Sequence, residues 1–150
     1  MSNPIEAMEN ELVTSREFPI PRELVFEAWA NPEHLARWWG PNGFTNTFET
    51  FAFRPNGEWK FTMHGPNGAD YPNQCKFLEI DRPERIVLLH ESNPRFTITA
   101  LFEDLGDRTR LTFRQQFESN RDFEIVKNYA SDGNEQNMDR LGALLAKIEE

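Results

Sequence analysis

The sequence contains one cysteine, Cys75, in 150 residues. A single thiol excludes an intramolecular disulfide and any multi-cysteine metal site, and it fits a reducing compartment. No apolar run approaches the roughly 20 residues needed to span a bilayer, so no membrane segment is expected. The stretch Met1 to Asn10 has neither a basic nor a hydrophobic signal region, and it reads as a flexible N-terminal segment with no secretion signal. Positive charge is scarce as well. With 16 basic against 25 acidic residues the net charge is −9. An acidic surface repels phosphate backbones, and no Lys/Arg cluster offers a nucleic-acid footprint, so neither nucleic acid nor membrane is an expected partner. The sequence also has no Gly-x-Ser-x-Gly elbow, no P-loop, no Gly-x-Gly-x-x-Gly and no Cys-x-x-Cys. His34, His64 and His90 fall on separate segments without metal-ligand spacing, so neither a metal nor a cofactor is expected. These absences describe a cytoplasmic protein of one domain, residues 1–150, without linkers or repeats.

What the chain does have is rings. Thirteen Phe, four Trp and two Tyr dominate a hydrophobic fraction of only 38%. Such a composition fills a core or lines a hollow one. The densest point is Arg37-Trp38-Trp39-Gly40-Pro41, where a short helix meets a Gly-Pro stop. Adjacent helical side chains diverge by about 100°, so on a continuing helix Trp38 and Trp39 would not share one core and one of them would edge a pocket; the plainer alternative is that both rings simply pack.

Periodicity orders the remainder. Glu11 to Phe18 reads as a strand of weak alternation. Pro21 opens a helix with Val25, Phe26 and Trp29 in a stripe, and Asn31-Pro32 breaks it and caps a second helix, Glu33 to Trp39. From Thr45 to Phe117 the period becomes two. Thr47, Glu49, Phe51 and Phe53 share one face, as do Trp59, Phe61 and Met63 after an Asn56-Gly57 turn. Gln74–Ile80, Arg85–His90, Phe96–Glu103 and Arg108–Phe117 continue an antiparallel meander. A final long helix carries Phe123, Val126, Ala130, Gly133, Asn137, Leu141, Leu144 and Ile148 on one face, with Met138 and Leu145 beside it. Gly133 marks a kink, a break or a close packing point. The fold class is therefore α+β. A curved antiparallel sheet of about six to seven strands wraps a long C-terminal helix, with two short helices after the first strand.

In this setting the chain resembles the START-like (SRPBCC) superfamily. The group it matches is the bacterial single-domain one named after the activator of heat-shock-protein-90 ATPase homologues. The resemblance is carried by Pro21-Arg22-Glu23-Leu24-Val25-Phe26-Glu27-Ala28-Trp29, by Asn31-Pro32-Glu33-His34-Leu35 and by the Arg37–Pro41 block. Arg54-Pro55-Asn56-Gly57-Glu58-Trp59, Arg82-Pro83-Glu84-Arg85-Ile86-Val87, Thr109-Arg110-Leu111-Thr112 and Met138-Asp139-Arg140-Leu141 follow in order. It implies a helix-grip fold with a cavity between sheet and last helix, without implying a shared ligand or reaction. Members of the group commonly carry Trp after the glycine of the last helix, where this chain has Asn134.

The candidate lining of that cavity is Trp38, Trp39, Glu49, Phe51, Phe53, Trp59, Phe61, Met63, Phe77, Phe113, Gln115, Asn134, Asn137, Met138 and Leu141. Among these Glu49 shares the parity of Phe51 and Phe53, and on an unbroken strand it would aim inward, where a carboxylate can anchor or deprotonate a ligand; near the strand end it would instead lie at the wet rim. Gln115, Asn134 and Asn137 are amides able to orient one. His34 is expected in solvent, His64 away from the aromatic face, and His90 at a rim. Cys75 shares the parity of Phe77 and reads as a small buried residue.

The leading function is a small-molecule binding protein for a lipophilic or aromatic ligand. The alternatives are an enzyme of cyclase or hydratase type, using Glu49 or His90 as acid–base groups, and a co-chaperone-like regulator of the 90-kDa heat-shock ATPase. The balance is against an enzyme. The oligomeric state stays open, a homodimer included.

Overall fold

The computed structural model describes residues 8–149. Its elements run β1 (Glu11–Phe18), α1 (Arg22–Ala30), α2 (Pro32–Trp38), β2 (Thr45–Phe51), β3 (Glu58–His64), β4 (Asp70–Asp81), β5 (Arg85–His90), β6 (Phe96–Asp104), β7 (Thr109–Phe117) and α3 (Asn120–Glu149). The seven strands form one antiparallel sheet in the order β1-β7-β6-β5-β4-β3-β2. Five of its six pairings join strands adjacent in sequence, and β1 alone crosses to pair with β7. That crossing lets α1 and α2 leave the sheet at one edge and re-enter at the other, so both helices cover the same face.

One face of the sheet is the core. Trp59, Phe61, Cys75, Phe77, Ile86, Leu88, Ile98, Ala100, Phe102, Leu111 and Phe113 alternate inward and are buried against α1, α2 and the second half of α3. The register sets these residues in rows across the strands. One row runs Trp59, Cys75, His90, Phe96, Phe117. Its last ring meets Phe123 of α3 with centroids 6.0 Å apart.

The helix boundaries follow local chemistry. Asn31 ends α1 and starts α2, its Oδ1 accepting the Glu33 N–H at 3.0 Å while its own N–H bonds the Glu27 carbonyl. Pro32 at the first position of α2 has no N–H to leave unpaired. Gly40 follows at φ +100°, and a Cβ there would stand 2.7 Å from Met63 Cε. No larger residue suits that corner.

One expectation changes here and another narrows. Helix α2 stops at Trp38, and Trp39 is its C-cap with extended backbone (φ −68°, ψ 131°). Helical spacing therefore does not separate the two indoles, and both are buried. Of the three roles open to Gly133, a break is excluded, because α3 runs unbroken for 30 residues. Gly133 is a packing point, where an added Cβ would meet Pro41 Cγ at 3.7 Å.

Candidate functional site

The core face between the sheet and the three helices is filled by rings in mutual contact. Trp39 lies at its centre, with Trp59 at 5.1 Å, Trp38 at 5.5 Å and Trp29 at 5.7 Å, all edge-on, and Phe113 at 6.3 Å. Trp59 stacks on Phe61 at 4.3 Å, and Phe51 and Phe53 stack on each other at 5.9 Å while presenting edges to Phe77. Offset and edge-on pairs of this kind contribute about 0.5–1.5 kcal/mol each beyond their buried area. Trp38, Phe113, Met138 and Leu141 are fully buried, and Met63, Phe51 and Phe53 are half-buried. Phe26, Phe48 and Phe102 complete the cluster. Sequence reasoning left those three out of the lining, although Phe26 stood in the apolar stripe of the first helix.

The carboxylate candidate moves outside. Pairing between β2 and β3 slips between Phe48 and Thr50, so Phe48 and Phe51 both turn inward. The extra residue in that bulge is Glu49, and it is exposed. An unbroken alternation would have aimed it at the rings. Glu49 instead borders a surface hollow of about 440 Å³ that also touches Lys60, Thr62, Pro72, Gln74 and Ser92.

His90 moves the opposite way. Expected at a rim, it is 7% exposed, because its register partners Cys75 and Phe96 belong to the core row. Its ring stacks on Phe96 at 4.3 Å, Nδ1 lies 2.8 Å from the Pro94 carbonyl oxygen, and Nε2 lies 2.6 Å from the Asn73 side chain. A carbonyl partner requires the proton on Nδ1. Burial pushes the imidazole below its ordinary value. Neither ring nitrogen faces Glu49, so the two acid–base candidates do not form a pair.

His64 points away from the core as expected, bonded to Thr47 Oγ1 and Asp70 Oδ1, each at 2.7 Å. His34 is half-buried rather than in solvent, with Nδ1 enclosed. Cys75 is buried, and burial, reinforced by Glu91, pushes its thiol up, away from nucleophilic reactivity.

The inward amides are engaged with protein. Asn134 Nδ2 donates to Gln115 Oε1 at 3.0 Å, and Asn137 Oδ1 accepts the Gly40 N–H at 2.7 Å. Close by, Arg140 inserts its guanidinium among the carbonyls that end α2. Nη1 donates to the Trp39, Gly40 and Pro41 oxygens at 3.3, 2.7 and 2.9 Å, and Nη2 to those of Arg37 and Phe44 at 2.8 and 3.0 Å. A planar fork of donors satisfies the orphan carbonyls of a helix end as no ammonium can. Burial lowers the affinity of Arg140 for its proton. The sequence gives no local sign of this clamp, since Arg140 lies a whole sheet away in chain order from the corner it holds.

Helix α3 thus has two unlike halves. From residue 134 onward it buries Met138, Leu141, Leu144 and Leu145, and Arg16 of β1 pairs with both Glu135 (2.8 Å) and Asp139 (2.5 Å). Over residues 120–133, roughly four turns, no side chain is fully buried. Phe123, Val126 and Ala130 are half-buried there, while Ile125 and Tyr129 are 57% and 80% exposed.

Two polar atoms inside the ring cluster lack partners. Trp29 Nε1 and Trp59 Nε1 are enclosed with no acceptor, although Trp38 Nε1 donates to the Ala28 carbonyl at 2.9 Å. An unpaired buried donor costs about 1–3 kcal/mol. The surface hollows found among the described residues, about 370 to 620 Å³, open elsewhere, beside Arg22 and Phe102, beside Asn10 and Gln116, over Lys60 and Gln74, and beside Ala36 and Asn46.

The fold recurs in solved bacterial structures. A protein of Arthrobacter aurescens, solved by NMR, superposes with a TM-score of 0.87 at 25% identity, over 93% of this chain and 87% of that one. A crystal structure from Nitrosomonas europaea gives 0.85 at 24% identity, over 99% and 100% of the two chains. One from Mycobacterium smegmatis gives 0.84 at 24%, over 93% of each. Among curated proteins none matches the chain. The model of the family described as Activator of Hsp90 ATPase homolog 1-like protein matches residues 19–146, from the end of β1 through the buried half of α3. With its helix-grip architecture and the Arg37–Pro41 corner locked by Asn137 and Arg140, the chain belongs to that family.

Proposed function

We propose that the protein binds a small lipophilic or aromatic molecule between the core face of the sheet and the first half of α3. The observation that carries this reading is the seating of that helix. Over residues 120–133 Phe123, Val126 and Ala130 are only half-buried beside the ring cluster, and Ile125 and Tyr129 are exposed. A helix that carries such apolar surface gains most from a partner able to cover it. Its second half is anchored by buried leucines and by Arg140, so the first half can lift while the rest of the fold holds. The catalytic alternative lacks comparable support, because Glu49 lies in the solvent and His90 is bonded to protein.

The test is uptake of neutral aromatic probes, followed by native mass spectrometry and by quenching of tryptophan fluorescence. Saturable binding of one molecule per chain with a change in indole emission is the expected result. Failure of every probe by both methods would remove the proposal.

A further inference from the structure

We infer that the bound molecule is a neutral acceptor: an aromatic or lipophilic compound carrying a carbonyl or ether oxygen that takes the free N–H of Trp29 or Trp59. This inference rests on the binding reading above and adds the chemistry of the ligand.

Most polar side chains of the interior hold at least one bond within the protein. Gln115 bonds Asn134, Asn137 bonds Gly40, Trp38 bonds Ala28, and Thr109 Oγ1 donates to the Ile20 carbonyl at 2.7 Å. Among the described side chains that are more than nine-tenths buried, the fully enclosed polar atoms left without a partner are Trp29 Nε1 and Trp59 Nε1. Both are donors and neither can accept. They come from different layers, α1 and β3, yet both rings lie edge-on to Trp39. A hydrocarbon entering beside Trp39 would leave both donors unpaired, whereas an oxygen acceptor that reached either N–H would satisfy it.

Charge narrows the class further. Among the described residues no Lys or Arg is fully buried, the Arg140 guanidinium beside Trp39 is already taken up by five backbone carbonyls, and burial keeps the His90 imidazole below its ordinary value. A carboxylate or phosphate would enter without a counter-ion, at a desolvation cost that indole donors do not offset. A neutral oxygen carries no such cost.

Three matched probes test this on the intact protein: 2-acetylnaphthalene, 2-ethylnaphthalene and 2-naphthoate. Each is titrated while the four indole N–H signals are followed by ¹H–¹⁵N correlation NMR. The ketone should bind about fivefold to tenfold more tightly than the hydrocarbon, the gain of one neutral hydrogen bond. It should shift the Trp29 or Trp59 indole proton downfield. Trp38, already bonded to Ala28, serves as the internal control and should stay in place. Trp29→Phe or Trp59→Phe should remove the ketone's advantage while retaining binding of the hydrocarbon. The signals of the unaltered protein decide the matter if neither variant folds. Equal affinity for ketone and hydrocarbon, with both indole protons unmoved, would overturn the inference and leave the binding reading intact. Tighter binding of the naphthoate would overturn the neutral class. If none of the three binds, the underlying reading falls and this inference falls with it.

Discussion

The two halves of α3 belong to one helix and obey different physics. Beyond residue 134 the helix is seated on β1, α1 and α2 by Met138, Leu141, Leu144 and Leu145, and its polar side chains reach the Arg37–Phe44 corner through Asn137 and Arg140. Before residue 134 the apolar side chains are half-buried or exposed, and the ring contact to the sheet is Phe123 on Phe117. Stability therefore resides in the second half. Under the proposed binding role, the first half is the segment that would respond to a ligand. The proposed binding role would need both properties, and here they are divided along a single element.

The contrast is broken most severely by Leu141→Ala. Truncating a fully buried leucine removes apolar contact and leaves a cavity, so unfolding free energy should fall by about 2–5 kcal/mol in urea titrations. An equal loss from Val126→Ala would erase the distinction between the halves. Next comes Arg140→Lys. An ammonium cannot span the five carbonyls that the guanidinium gathers, and a loss of about 2 kcal/mol is expected by the same titration.

The third effect is one of pH and concerns the row that reaches Phe123 through Phe117. Burial holds His90 below its ordinary value of 6.5, so the unfolded chain takes up a proton where the folded chain does not. The contribution of neutral His90 is fully present above about 6.5 and is lost as the pH falls below it. The urea midpoint should drop between pH 7 and pH 5, and His90→Gln should flatten that drop. The smallest effect has the opposite sign. Gly133→Ala places a methyl in ordinary contact with Pro41 and removes backbone freedom from the unfolded chain, for a gain of about 0.5–1 kcal/mol measured by thermal unfolding.

Most of the fold was legible because its signals are local. The strand Glu11–Phe18 is recovered with its bounds, and the meander, the two short helices and the long one follow from period and turn chemistry. The errors arise where one residue changes the count. A single bulge residue puts Glu49 in solvent, and one residue of extended backbone at Trp39 brings both tryptophans inside. His90 looked peripheral because it ends a strand, whereas its burial depends on partners in β4 and β6. The clamp of Arg140 and the unpaired donors of Trp29 and Trp59 were beyond sequence reasoning altogether. They depend on which groups long-range packing leaves facing one another. Asn134, where members of the group commonly carry a tryptophan, bonds Gln115 and marks the boundary between the two halves of the helix.

The most direct test follows amide hydrogen exchange along α3 by mass spectrometry, with and without 2-acetylnaphthalene. Residues 120–133 should exchange well ahead of residues 134–149 in the free protein, and the probe should slow the first half selectively. Two halves that exchange together, and that the probe leaves unchanged, would contradict the account.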